Sequence, residues 1–265
     1  MRNSEFFKGI PRKTYEIQGQ EIEFPVFYYD FSSITASFIV KANKLKEVLP
    51  HPEFIPAEIW PGTGVLVIKA YEFRETDIGP YNEVSISIPI NFEPASFLPR
   101  KSAISMLRKH KFALYVHQLP VTTEVARLGG VYFFNYPKFL AEISIEDKGE
   151  TIETTLKEKD ELILKMSAKK PPLKKSGPFE YHTFSIKDNE ILHTFIEGKA
   201  ERIGYTMMGK FAEIELGDHA VAKELKELNL GEFAHSGQYA EGAMSKLHHP
   251  DKSWNVETLE LISES

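Results

Sequence analysis

One lysine follows a proline inside the most aromatic stretch of the chain, Tyr132-Phe133-Phe134-Asn135-Tyr136-Pro137-Lys138-Phe139. Only the neutral amine of a lysine is a nucleophile, and with a pKa near ~10.4 in water very little of it is neutral at pH 7. Apolar surroundings penalise the ammonium form and can lower that value by up to ~3–5 units. Lys138 is therefore a candidate Schiff-base nucleophile toward a carbonyl carbon; the alternative is a snorkelling side chain with its stem on apolar surface. A second candidate is Glu83, a carboxylate able to orient an amine or shuttle protons. Tyr81, Tyr132 and Tyr136 place hydroxyls close by in sequence, and Arg127, eleven residues before Lys138, offers a guanidinium to an anionic substrate.

These residues need strands to position them. After the turn Asp77-Ile78-Gly79-Pro80, Val84, Ile86, Ile88 and Ile90 alternate with Glu83, Ser85, Ser87 and Pro89. A period of two puts Glu83 on the face opposite the isoleucines, which in a small barrel can line the lumen. Phe139, Ala141, Ile143 and Ile145 alternate with Lys138, Leu140, Glu142 and Ser144, so Lys138 reads as the polar face of a strand over 138–145. Further strands are expected over 34–40, 65–73, 112–117, 151–156, 161–166, 180–186, 191–200 and 211–216. Helices are expected over 44–49, capped by Asn43, over 100–111, ending in a basic run, and from an Asp218 cap through Leu228. Residues 1–25 read as an extended N-terminal arm running into a strand, 120–130 as a connection, and the lysine- and proline-rich 169–178 as a solvated loop and the one candidate internal boundary.

The chain has 265 residues, of which 42% are hydrophobic and 26% charged, a composition that supports a globular core in a single domain over 1–265. With 38 acidic against 32 basic residues, the net charge of -6 argues against nucleic acid as a partner. No cysteine is present, which removes disulfides and thiolate chemistry. No secretory signal or membrane-spanning apolar run is seen, so a cytoplasmic protein without a membrane partner is expected. No metal site is expected: the adjacent His248 and His249 cannot share one ion, and Asp218-His219 lacks a nucleophile elbow.

Several of these stretches resemble the acetoacetate decarboxylase family. Gly79-Pro80-Tyr81-Asn82-Glu83 resembles the family's glycine-tyrosine-x-glutamate strand start, and Tyr136-Pro137-Lys138 its lysine motif. Phe38 to Pro52 resembles an early strand and helix ending in proline-x-proline, and Leu216-Gly217-Asp218-His219-Ala220-Val221-Ala222 is similar to the aspartate-histidine-alanine segment near the family's C-terminus. The resemblance runs in order from about Phe38 to Pro250. It implies a mainly β protein, an antiparallel β-barrel with a few peripheral helices, forming a homo-oligomer and using no cofactor. Lys138 would be the Schiff-base lysine, with Glu83 beside it, acting on a small keto acid or ketone. The expected activity is decarboxylation of a small β-keto acid; the alternatives are a Schiff-base aldolase or dehydratase, and a non-catalytic barrel that binds a small molecule. Two departures bear on the substrate. Phe139 stands where the family has a second lysine, and the family's early-strand arginine and second pocket carboxylate fall at Phe31 and Ile68.

Overall fold

The structure, a computed structural model, describes residues 4–98, 101–207 and 209–264. A hairpin of β1 (Lys13–Ile17) and β2 (Gln20–Phe24) leads into β3 (Val26–Lys41), α1 (Ala42–Val48) and β4 (Ile55–Pro56). Then come β5 (Thr63–Thr76), β6 (Tyr81–Asn91), α2 (Ala103–Lys109), β7 (Lys111–Gln118) and α3 (Glu124–Phe134). The meander β8 (Glu142–Asp147), β9 (Thr151–Glu158) and β10 (Glu161–Lys169) follows, and after it β11 (Lys174–Lys175), β12 (Pro178–Lys187) and β13 (Glu190–Thr206). The chain ends with β14 (Ala212–Leu216), α4 (Ala220–Glu227), β15 (Phe233–Ala234), β16 (Ser236–Leu247), β17 (Lys252–Asn255) and β18 (Leu261–Glu264).

Seven strands close into a barrel in the order β12-β7-β6-β5-β3-β16-β13, with β13 pairing back onto β12. Closure leaves no free edge around the ring. The pairings are antiparallel except β7 with β12, which is parallel, so the expected antiparallel barrel is a mixed one. That one parallel pair arises because the chain leaves β7, builds α3 and the β8–β10 meander, and re-enters the ring at β12 in the same direction.

Strand alternation divides the apolar residues into two cores. Ile34, Ala36 and Phe38 of β3, Ile68 and Ala70 of β5, and Val84, Ile86, Ile88 and Ile90 of β6 share an outer core with Ile143, Ile152, Leu156 and Ile163 of the five-stranded sheet β15-β14-β10-β9-β8. The opposite faces supply an inner core of Phe31, Phe73, Tyr81, Val116, Tyr136, Ala200, Ala240 and Ala243. The loop at 169–178 is where the chain passes from the five-stranded sheet to the barrel, and within it β11 pairs with β13.

Several boundaries differ from the sequence expectation. The connection expected over 120–130 contains α3, which runs through the Gly129-Gly130 pair to a left-handed Asn135. The strand expected from Lys138 begins only at Glu142, because 137–141 pairs with other partners. The N-terminal arm folds back as a hairpin whose Ile17, Ile22 and Phe24 pack in the inner core. The helix expected over 100–111 spans Ala103–Lys109, capped by Ser102, and residue 100 lies outside the described residues. His219, not Asp218, caps α4, its Nδ1 accepting from the Val221 amide at 3.2 Å, while Lys41 rather than Asn43 precedes α1.

On the barrel wall, His182 Nδ1 lies 2.9 Å from His193 Nε2, whose Nδ1 meets Asp251 Oδ1 at 2.5 Å. Burial, and then the neighbouring His193, push His182 down to about 3. A histidine lowered in the fold stabilises it fully above its unfolded value of ~6.5, and this contribution is lost as pH falls toward the folded value. Between pH 7 and pH 4, His182→Gln is expected to lose about 2–3 kcal/mol less stability than the wild type in urea titrations. An equal loss in both proteins would contradict the assignment.

Candidate active site

Lys138 reaches the lumen through a three-layer arrangement of backbone. Val121 bridges Glu83 of β6 on one side and Leu140 on the other. The Val84 amide donates to Pro120 O at 3.0 Å, and the Thr122 amide to Asn82 O at 3.1 Å. On the far side, the Leu119 amide donates to Pro137 O at 3.2 Å, the Val121 amide to Phe139 O at 3.0 Å, and the Ala141 amide to Val121 O at 2.9 Å. The segment 137–141 is thereby laid alongside 119–122, which is laid alongside β6. Pro137 fixes its own φ and donates no hydrogen bond, which suits the extended entry to Lys138. Asn135, at φ 48°, turns the chain out of α3, and the Tyr136 amide donates to Gly130 O at 3.1 Å.

Within this frame Lys138 Nζ donates to Glu83 Oε2 at 2.7 Å, the two side chains being 7% and 11% exposed. Removing two charges from water costs several kcal/mol each, and a single well-aligned partner recovers that only in part, so a buried pair is poor evidence of stabilisation. It is better evidence of a site. The Tyr81 ring centroid lies 5.9 Å from Nζ, and Tyr81 Oη is 3.3 Å from Tyr28 Oη. Tyr136 Oη meets Thr183 Oγ1 at 2.6 Å. Burial, with the Glu83 charge adding to it, holds the Tyr28 phenol above its ordinary value; burial and then Tyr28 do the same for Tyr81; and burial pushes Tyr136 up to about 12. All three phenols therefore remain protonated at working pH and can donate hydrogen bonds. A narrow cavity of about 30 Å³ lies against Lys138, Tyr28, Tyr136, Ile22 and Gly130, room for about two water molecules. Among the described residues, no three His, Asp or Glu side chains converge as metal ligands, and no helix is long and apolar enough to cross a membrane.

The acetoacetate decarboxylase (ADC) family model matches residues 11–253, nearly the whole chain including every element of the site. The chain belongs to the acetoacetate decarboxylase family. Its fold is similar to that of an acetoacetate decarboxylase structure at a TM-score of 0.57 and 16% identity, covering 91% of this chain and 90% of that one. The acetoacetate decarboxylase of Legionella pneumophila subsp. pneumophila str. Philadelphia 1 is similar at 0.58 and 12% identity, covering 91% and 88%. The enduracididine biosynthesis enzyme MppR complexed with pyruvate is similar at 0.63 and 11% identity, covering 90% and 93%. Among curated protein sequences none matches significantly.

Of the residues singled out from the sequence, this family fold brings together Lys138, Glu83, Tyr81 and Tyr136. It does not bring Arg127 or Tyr132 to them. Arg127 is paired along α3 with Glu124 at 2.5 and 2.7 Å, and Tyr132 is 53% exposed with the Lys187 amine over its ring. Phe139 packs on the outer side, stacked on His219, so it points away from Lys138. Of the two departures from the family pattern, Phe31 faces the inner core, whereas Ile68 faces the outer one. The neighbour of Ile68, Lys69, is buried beside the inner core and escaped the sequence reading, as did Tyr28 and Tyr71.

Gly130 of α3 lies against the lysine stem. A Cβ added there would stand 2.5 Å from Lys138 Cε and closer still to Cδ. Its helical backbone accepts alanine readily, and alanine is worth up to about 1 kcal/mol over glycine inside a helix. Because the added Cβ must displace the lysine stem from its buried partner, Gly130→Ala is expected to lower the melting temperature despite that helix gain, and reductive trapping at Lys138 to fall at least about tenfold. Unchanged trapping would show that the lysine stem does not depend on this gap.

Proposed function

We propose that the protein is a Schiff-base enzyme acting on a small keto acid, with Lys138 as nucleophile and Glu83 as its proton partner. The observation that carries this reading is the buried Lys138–Glu83 pair at 2.7 Å inside a lumen walled by tyrosines. Glu83 accepts a proton from the Lys138 ammonium, leaving a neutral amine. The amine nitrogen bonds to the ketone carbon, and the carbonyl oxygen, after taking two protons, leaves as water to give an iminium. In a β-keto acid the bond to the carboxylate then breaks: carbon dioxide departs, and the bonding pair flows into the iminium to form an enamine. Protonation of the enamine carbon and hydrolysis by water release the ketone and restore Lys138. Tyr28 and Tyr81, held protonated, can donate to oxygen atoms that gain charge.

A second reading keeps the iminium and changes the bond that is made or broken. It is favoured by the solved structures of similar fold, which include MppR complexed with the condensation product of pyruvate and imidazole 4-carboxaldehyde. It is also favoured by Phe31, which stands where the resemblance places an arginine.

Borohydride reduction in the presence of acetoacetate and of pyruvate, followed by peptide mass spectrometry, tests the shared step. A reduced adduct is expected on Lys138, absent from Lys138→Met, and formed at least about a hundredfold more slowly in Glu83→Gln. Carbon dioxide release from acetoacetate separates the first reading from the second. Folded protein that forms no adduct with a broad panel of ketones would leave the barrel as a non-covalent binder.

A further inference from the structure

The lumen holds a second buried lysine that the iminium chemistry does not use. Lys69 of β5 is 7% exposed, and its Nζ donates to Tyr181 Oη at 3.0 Å. Nζ also lies 4.5 Å from the Tyr71 ring centroid and 4.8 Å from that of Tyr181. Among the described residues no carboxylate pairs with it. An ammonium has three N–H donors, and here the neighbours supply phenols, which carry no compensating charge at neutral pH. Burial acts to lower this group, while the pull of the Tyr181 and Tyr71 oxygens and their hydrogen bonds act to raise it.

Lys69 belongs to the same interior as the reactive pair. It borders a cavity of about 20 Å³ together with Phe31, Ala200, Ala240 and Ala243, all of them inner-core residues. Tyr71, two residues further along β5 on the same face, is directly opposite Glu83 in the β5–β6 register and also feels the Glu83 charge. Same-face neighbours on a strand are about 6.6–6.8 Å apart. One strand repeat therefore separates the position opposite Glu83 from the base of Lys69.

Taking the Schiff-base reading of Lys138 as its basis, we propose that Lys69 anchors an anionic group of the substrate, one remote from the reacting carbonyl and retained through the reaction. Retention follows from energetics. An ammonium held against a departing carboxylate would stabilise the ground state more than a transition state in which that charge flows away, and would slow its loss. A carboxylate that stays gains from the contact throughout. The substrate class is an oxo acid whose anionic end is further from the ketone than the single carbon of a 3-oxo acid, with or without a second, departing carboxylate.

The test uses 4-oxopentanoate, 5-oxohexanoate and 6-oxoheptanoate against their methyl esters, trapped with borohydride and mapped by peptide mass spectrometry. In the wild type, a longer acid is expected to label Lys138 about ten- to a hundredfold better than its ester, the range of one hydrogen bond to a charged group. Lys69→Met is expected to lose that preference while still labelling with the esters; Lys69→Gln replaces it should the methionine variant not fold. No preference for acid over ester at any length in the wild type, a preference that survives in the variant, or an adduct on Lys69 itself would overturn the proposal. Calorimetry with glutarate and adipate reads the anion site independently of covalent chemistry. Binding to the wild type that is lost in the Lys69 variant supports the site even if Lys138 forms no adduct, and absence of binding overturns it.

Discussion

A salt bridge buried inside a barrel is the constraint around which this fold is arranged. Lys138 and Glu83 arrive from segments 55 residues apart and meet at 2.7 Å with little access to water. The cost of desolvating both charges is large, and it is tolerable only while their geometry holds. The surrounding backbone supplies that geometry. Glu83 sits on a central barrel strand, Lys138 on a segment tied to it through Val121, and the hydrogen bonds on both sides of Val121 leave the two side chains little freedom to part. The second sheet contributes indirectly, since its outer core fixes the face that β6 presents inward.

Helix α3 solves the remaining difficulty, which is how a long lysine stem enters a packed interior. Interiors are filled close to crystal density, so a methylene chain needs a channel free of other side chains. Gly130 provides it, and Ile22 of the N-terminal hairpin packs beside Gly129 on the same helix. The hairpin residues Ile22 and Phe24 border the cavity beside Lys138. What reads in the sequence as a trailing arm is therefore part of the wall that keeps water from the amine.

The legibility of this arrangement was uneven for physical reasons. The period-two run after Gly79 was enough to put Glu83 opposite the isoleucines, because a strand has only two faces. Lys138 stood out because an ammonium in an aromatic stretch has to be accounted for. Helix α3 was hidden by the Gly129-Gly130 pair, the second of which makes room for the lysine, since each disfavours a helix by up to about 1 kcal/mol and tertiary packing overrides that preference. The neighbourhood of Arg127 was not readable from spacing: a residue near Lys138 in sequence lies on the helix face paired with Glu124. Lys69 was least legible of all. On an open sheet, a lysine alternating with Ile68 and Ala70 is an ordinary solvent-facing side chain, and only closure of the ring turns that face into an interior.

The two lumen lysines are partnered in different ways, and the difference has consequences for chemistry. A carboxylate beside Lys138 can take its proton and return it, so the amine passes between charged and neutral states without a change in the total charge of the pair. The groups beside Lys69 are hydroxyls, with Tyr71 held above its ordinary value by burial; Tyr181 accepts a hydrogen bond from the amine without bringing a carboxylate's charge. A carboxylate at Lys69 would close the ion pair and repel any anion that approached. With hydroxyls instead, a positive charge there would stay uncancelled, and in a low-dielectric interior it would act over longer distances than it would in water. One end of the lumen is thus suited to moving a proton and the other to holding a charge still, a division that a substrate with a reactive carbonyl and a distant anion would satisfy at both ends.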